Sequence, residues 1–222
     1  MKGRKRPCGN PVTLLAIVVP FVLTGCNKMM VGLAGIHPYD RAVTWEKKDR
    51  LAERMGVSGP EYLVLERRYA ERVEERRGRE PEKHVQAKYQ PLQLRWYSAG
   101  GRAQWVIPNC DVGGFPNLQW KRFGLPDTLY VRQPSREYAD SAWTLSDDFS
   151  YMVERRTGLR PSKRDGAQGY LLVYWTYFMG RQSVRLARHV ERWRKDHGNG
   201  IDILYVNADS LLMGVDKPEI DR

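Results

Sequence analysis

The run Tyr170-Leu171-Leu172-Val173-Tyr174-Trp175-Thr176-Tyr177-Phe178-Met179 is apolar at every position but Thr176 and rich in aromatic side chains. A strand with one face in water alternates apolar and polar residues, whereas a strand covered on both faces reads as a continuous apolar run. The stretch therefore predicts a central strand buried on both sides. It falls well short of the about 20 residues that a membrane-spanning helix requires.

Downstream, Leu186, Val190 and Trp193 recur on one face of a helix expected over Ser183 to Lys195, and Gly198-Asn199-Gly200 ends it. Ile201 to Val206 then predicts a last strand, so residues 170 to 206 form a strand-helix-strand unit able to add a parallel pair. The tail after Gly214 is expected to fray.

Upstream of the run the period is two. Leu92, Leu94 and Trp96 alternate with Gln93, Arg95 and Tyr97, Ser98 to Gly101 supplies a turn, and Arg102 to Ile107 returns, which predicts a β-hairpin. Asn109 to Pro116 reads as a loop holding Cys110, Asp111, Gly113 and Gly114. Leu118 to Phe123, Thr128 to Gln133 and Ser141 to Leu145 read as further strands, with a turn at Pro126-Asp127. Ser146-Asp147-Asp148 suits the start of a helix to about Thr157, with acids at its positive end and Arg155 and Arg156 at its negative end. Arg160 to Gly169 is a basic, polar loop.

The segment before the hairpin is helical in character. Thr44 and Gly56 bracket a short helix over 45 to 55, and Ser58-Gly59-Pro60-Glu61 has the spacing of a capping box. A second helix is expected from there to Arg77, with Tyr62, Leu65, Tyr69 and Val73 on one narrow apolar stripe and charged residues on the rest. Such a helix is either a docking surface or a solvated helix lying on the domain. His84 falls in the polar linker that follows. Strands in the middle with helices on both sides predict an α+β fold with a mainly antiparallel sheet and flanking helices, preceded by the charged helical segment.

The N-terminus has a different character. Lys2, Arg4, Lys5 and Arg6 precede an apolar stretch from Pro11 to Leu23, and small residues precede Cys26, which is the layout of a secretory signal. Leu23-Thr24-Gly25-Cys26 resembles the lipobox of bacterial lipoproteins: an aliphatic residue, two small residues and the lipidated cysteine. The resemblance implies cleavage between Gly25 and Cys26, a diacylglyceryl thioether on the Cys26 sulfur and a fatty acid such as palmitate on its new amino group. Stable attachment to a bilayer takes at least two acyl chains. Asn27 rather than Asp after the cysteine implies the outer membrane over the inner one, with the protein facing the periplasm. The organisation is then a signal peptide at 1–25, a lipidated tether at 26–43, the helical segment at 44–80, an α+β domain at 85–213 and a tail at 214–222.

Removing the leader lowers the formal charge from +11 to about +7 and leaves about 197 residues, enough for one substantial domain. An exported chain with mixed charges and no nucleic-acid motif points its basic balance at anionic head groups or an acidic partner, not at nucleic acid. Cys8 is lost with the leader and Cys26 is consumed by lipid, so Cys110 remains alone and neither an intrachain disulfide nor a CxxC pair can form.

Signatures of catalysis are absent from the sequence: no HExxH, no GxSxG elbow, no phosphate-binding loop and no dinucleotide fingerprint. His37, His84, His189 and His197 have no ligand spacing, although His189, Asp196 and His197 are close in sequence, so neither a metal nor any other cofactor is expected. Cys110-Asp111 admits a thiol nucleophile if the fold brings a histidine to it, or a merely small buried residue. Asp147 and Asp148 read as helix-start acids. Among the tryptophans, Trp175 reads as core and Trp120, beside Lys121 and Arg122, as a surface residue.

Gly100-Gly101-Arg102 and Gly124-Leu125-Pro126-Asp127-Thr128-Leu129-Tyr130-Val131-Arg132 are similar to the middle of an uncharacterised family of bacterial lipoproteins, some of which lie beside type VI secretion lipase effectors. The chain departs from it at Gln133-Pro134, where the family has tryptophan, and in its helical segment. The resemblance implies immunity against a periplasm-acting toxin and carries over no functional residue. The expected function is a non-enzymatic, lipid-anchored protein-binding module of the cell envelope. The alternatives are a structural or assembly part of an envelope secretion or conjugation machine, and a periplasmic hydrolase or thiol enzyme using Cys110.

Overall fold

Gly169–Trp175 forms the strand that the apolar run predicts, and all seven of its residues are buried. The structure, a computed structural model, describes residues 35–37, 43–58, 61–112, 118, 120, 143–197 and 199–211. In chain order the elements are α1 (Trp45–Met55), β1 (Leu63–Leu65), α2 (Arg68–Glu75), α3 (Glu82–Lys88), β2 (Gln93–Ser98), β3 (Ala103–Pro108) and α4 (Asn109–Val112). They continue with α5 (Leu145–Phe149), β4 (Met152–Glu154), β5 (Gly169–Trp175), α6 (Gly180–His197) and β6 (Ile201–Asn207), and a short 3-10 turn at Asp209–Leu211 follows.

The strands make one six-stranded sheet in the order β3-β2-β5-β6-β1-β4. β2 pairs antiparallel with β3 and β5, and β1 antiparallel with β4, while β5 with β6 and β6 with β1 are parallel. The fold is α+β, with a mostly antiparallel sheet and helices on both faces. The hairpin and the strand-helix-strand unit stand where the sequence puts them, because each carries an unambiguous period.

The two faces of β5 define two cores. Leu171, Val173 and Trp175 meet α1 and α6 through Leu51, Met55, Leu186 and Val190. Tyr170, Leu172 and Tyr174 meet α2, α3 and α5 through Tyr69, Val73, Val85 and Phe149. Gln93, Arg95 and Tyr97, the polar alternates of β2, are therefore covered as fully as its apolar residues.

Several sequence expectations are corrected. The helix expected from Pro60 to Arg77 is helical only over Arg68–Glu75, and Leu63–Leu65 is a strand between β6 and β4. Tyr62-Leu63-Val64-Leu65 is a continuous apolar run, and burial on both sides outweighs the three-four spacing of Tyr62, Leu65, Tyr69 and Val73. The helix expected from Ser146 to Thr157 ends at Phe149, after which Met152–Glu154 pairs with β1. Its cap is Thr144, whose hydroxyl accepts the Asp147 N–H at 3.2 Å while the Asp147 carboxylate accepts the Thr144 N–H at 2.7 Å. His84 sits in α3, not in a linker, and Asn109–Val112 is one helical turn where a loop is expected.

Of the strand expected over Leu118 to Phe123, only Leu118 and Trp120 are described, and neither is in a strand. Trp120 is 4% exposed, so the surface role read for it is wrong; it packs in the core beneath α6. Leu145 begins α5 instead of ending a strand. The strand expected over Thr128 to Gln133, the family-like stretch 124–132, the tail after Gly214 and residues 1–34 with the lipobox lie outside the described residues.

Candidate functional site: an open strand edge

Among the described residues, β6 is paired along its whole length on one side only. With β5 it is in register from Gly169↔Ile201 to Trp175↔Asn207. On its other side β1 pairs with Val206 and Asn207 alone. Among the described residues no strand flanks β6 there over Ile201–Tyr205.

The direction of the backbone groups on that edge follows from the ladder. In a parallel pair, alternate residues of a strand direct both N–H and C=O to one neighbour and the intervening residues direct theirs to the other. The Gln168 N–H donates to the Gly200 C=O at 2.7 Å and the Ala208 N–H to the Trp175 C=O at 2.8 Å, which assigns the even-numbered residues of β6 to β5. Ile201, Ile203 and Tyr205 direct theirs to the open side.

A groove of about 430 Å³ lies along this edge, with Tyr62, Leu63, Ile203, Leu204 and Tyr205 making its apolar wall and Glu61, Glu154, Arg156 and Thr157 its polar rim. β1 and β4 close its far end, since the Arg155 N–H donates to the Tyr62 C=O at 2.9 Å and carries their ladder past Leu63. Tyr62 is fixed by donating its hydroxyl to Asp49 at 2.6 Å and by an edge contact with Trp175. Burial first, and then the Asp49 carboxylate, push its phenol well above the ordinary range.

The outer edge of the sheet is treated differently. At β4 the Met152 C=O accepts from Arg160 at 2.7 Å and the Glu154 N–H donates to the Leu159 C=O at 2.8 Å, so the loop after β4 covers it. Folded proteins blunt exposed edges in such ways because an open edge pairs with other chains. Among the described residues one segment of β6 is left without a strand partner while the neighbouring edge is blunted, which is the arrangement of a strand-accepting site.

A second depression, about 490 Å³, lies on the α1 side of the same two short strands, with Trp45, Val64, Arg68, Val153 and Arg155 among its lining residues. Two of its lining groups already contact each other, the Arg155 guanidinium lying 4.3 Å from the Trp45 ring, while the buried Lys48 ammonium lies 4.5 Å from the same ring. The first groove, unlike this one, runs beside the segment of β6 that β1 does not pair.

Charge is concentrated in one buried place as well. Arg95 donates to Asp148 at 2.9 Å, to the Tyr69 hydroxyl at 2.6 Å and to Gln93 at 2.9 Å, and its guanidinium lies 4.4 Å from the Tyr174 ring. Asp148 also accepts from Trp143 at 2.8 Å and from the Tyr97 hydroxyl. Burial, and then the Asp148 carboxylate, push the Tyr97 phenol well above its ordinary value. The cluster has no opening to solvent, and it holds α5 against the sheet. The helix-start acids are thus divided: Asp147 caps, and Asp148 is the core counter-ion.

The remaining candidates are scattered. Cys110 is exposed, its sulfur contacts Asp111 at 3.6 Å, and burial followed by the Asp111 carboxylate pushes its thiol up. His37 stacks on Tyr177 at 4.6 Å, His197 on Trp193 at 6.2 Å, and His84 and His189 lie on α3 and α6. Among the described residues no group of three or more His, Cys, Asp or Glu side chains is placed to hold a metal ion. Gly25 and Cys26 lie outside them. No helix among the described residues is long and apolar enough to cross a membrane.

Comparison with known protein families, with curated proteins and with solved structures returned no match.

Proposed function

We propose that this chain is a non-enzymatic, lipid-anchored protein of the bacterial cell envelope, attached through Cys26, which binds an extended segment of another protein along the open edge of β6. The observation that carries the reading is the pairing of β6 with β1 at Val206 and Asn207 only, beside an apolar groove. A segment laid there gains main-chain hydrogen bonds with Ile201 and Ile203, and alternate side chains of that segment enter the apolar wall. The lipobox-like Leu23-Thr24-Gly25-Cys26 supports the address, and Asn27 supports the outer membrane. In its most specific form the partner is a toxin acting in the periplasm and the protein confers immunity. Service in an envelope secretion or conjugation machine uses the same edge.

The thiol-enzyme alternative has less behind it, because a thiol raised by burial and a neighbouring carboxylate is a poorer nucleophile at neutral pH.

The test places a photo-crosslinking residue at Thr157 on the groove rim, in cells. A discrete adduct is expected with the parent sequence and with Ile203→Val, and its loss with Ile203→Pro. Residue 203 directs its N–H to the groove and not to β5, so proline there removes a docking donor and spares the β5 ladder. An adduct unchanged by Ile203→Pro counts against the reading.

A further inference from the structure

The outer face of α6 carries one sign of charge. Arg181, Arg185, Arg188, Arg192 and Lys195 follow at steps of four and three, which at 3.6 residues per turn gathers them within an arc of about 80°. The opposite face, Leu186, Ala187, Val190 and Trp193, is buried on the sheet. Arg181, Arg188, Arg192 and Lys195 are exposed and Arg185 is half-buried. The acids of the helix lie outside this arc: Glu191 is held by the Tyr205 hydroxyl at 2.8 Å and by Arg194 at 2.9 Å, and the exposed Asp196 follows Lys195 in the last turn, about 20° beyond the arc's edge. The stripe runs about 21 Å along the axis.

A charged face is often no more than solvated. What gives this one a direction is the chain that leads to it. The Arg181 N–H donates to the Gly35 C=O at 3.1 Å, the His37 N–H donates to the Phe178 C=O at 2.8 Å, and the His37 ring stacks on Tyr177. Gly180 makes room for this approach: a Cβ at that position would lie 2.3 Å from the Gly35 oxygen. The polypeptide is thus fastened at the first turn of α6, and from Gly35 back to Cys26 it reaches at most about 30 Å when fully extended. Acyl chains on Cys26 would therefore hold the first turn of α6, where Arg181 begins the stripe, within about 30 Å of the head groups.

We infer that the Arg181–Lys195 face of α6 lies on an anionic lipid surface, its cations meeting head-group phosphates. The helix would then be a second, electrostatic contact beside the lipid anchor, fixing which face of the domain turns to the bilayer. The inference rests on the lipid-anchor reading for the length of the tether, and on the stripe alone for the chemistry.

The experiment uses the full chain with Cys26→Ser, so that no lipid is attached. Its binding is measured by co-sedimentation with vesicles of phosphatidylethanolamine and phosphatidylglycerol, and with vesicles of phosphatidylcholine. The comparison chain adds Arg188→Gln, Arg192→Gln and Lys195→Gln, exposed positions where glutamine keeps helix propensity. The leader is the same in both chains, so the difference reports the stripe. Partitioning onto the anionic vesicles is expected to fall about 100-fold in the triple variant and to be regained with lysine at residues 188 and 192. Parent binding is expected to fall as salt rises. Equal partitioning of the parent and the triple variant onto anionic vesicles overturns the proposal, as does loss of a protein ligand in the triple variant with no change on vesicles. Failure of the lipid-anchor reading shows separately, as a chain with Cys26 intact that takes up no labelled palmitate in cells while the vesicle results stand.

Discussion

Arg95 and Asp148 meet at 2.9 Å across a gap of 53 residues in sequence, and their side chains are 3% and 0% exposed. Removing one member of a buried ion pair leaves the other charged and uncompensated, at a cost of about 3–5 kcal/mol. Asp148→Ala is expected to lower urea-unfolding stability by that amount. Arg95→Met with Asp148→Leu is expected to recover part of it, the Tyr97 hydroxyl and the Trp143 N–H still lacking their acceptor. A double variant as unstable as Arg95→Met and Asp148→Leu summed would show that the pair is not coupled.

Gly180 combines a positive φ of 40° with a Cβ position 2.3 Å from the Gly35 oxygen and 2.9 Å from the His37 ring. Gly180→Ala is expected to release residues 35–37 from α6 at a local cost of about 1–3 kcal/mol, leaving the sheet intact. Limited proteolysis checks it: cleavage between residues 27 and 43 speeds up while the fragment from α1 onward persists. Unchanged cleavage contradicts the fastening.

His37 titrates within that contact. Burial, and then the Arg54 charge, lower its pKa from the ordinary 6.5. The unfolded imidazole binds its proton first as pH falls, so the stability that the neutral ring contributes is fully present above about 6.5 and is lost as pH falls through the lower native value. Acidification is expected to loosen the segment, read as faster proteolysis before the leading edge of α1. His37→Phe, which keeps a ring on Tyr177, is expected to remove the dependence.

Cys110 is raised by burial and by Asp111, and that carboxylate is its described contact. Its alkylation by iodoacetamide is expected to run slower at neutral pH than that of free cysteine, its rate rising through a midpoint above the ordinary thiol value. Fast alkylation at neutral pH would reveal an activating base and favour the enzyme alternative.

The central strand, the hairpin and the last strand were legible because their periods are unmixed: Tyr170 to Trp175 is apolar on both faces, and Leu92 to Tyr97 alternates. β1 was not, since a three-residue strand leaves little pattern and Leu65, Tyr69 and Val73 also fit a helix. Asp148 was hidden by a second sufficient explanation, acids at a helix start. The helical extent after Ser146 failed for a related reason: Met152–Glu154 takes its conformation from pairing with Leu63–Leu65, a contact distant in sequence. The groove left no local signal, because it exists where β1 begins too late to cover β6. The α6 cations stood in the sequence throughout, and their direction came only with the docking of Gly35 and His37.

The open edge is tested most directly by residue-resolved amide hydrogen exchange in the free protein. Leu204 directs its N–H into the β5 ladder and Ile203 directs its N–H into the groove. The Ile203 amide is expected to exchange at least about 100-fold faster than that of Leu204, with Ile201 fast and Asp202 slow. An Ile203 amide as protected as that of Leu204 would mean that the edge is already paired, and would contradict a strand-accepting site on β6.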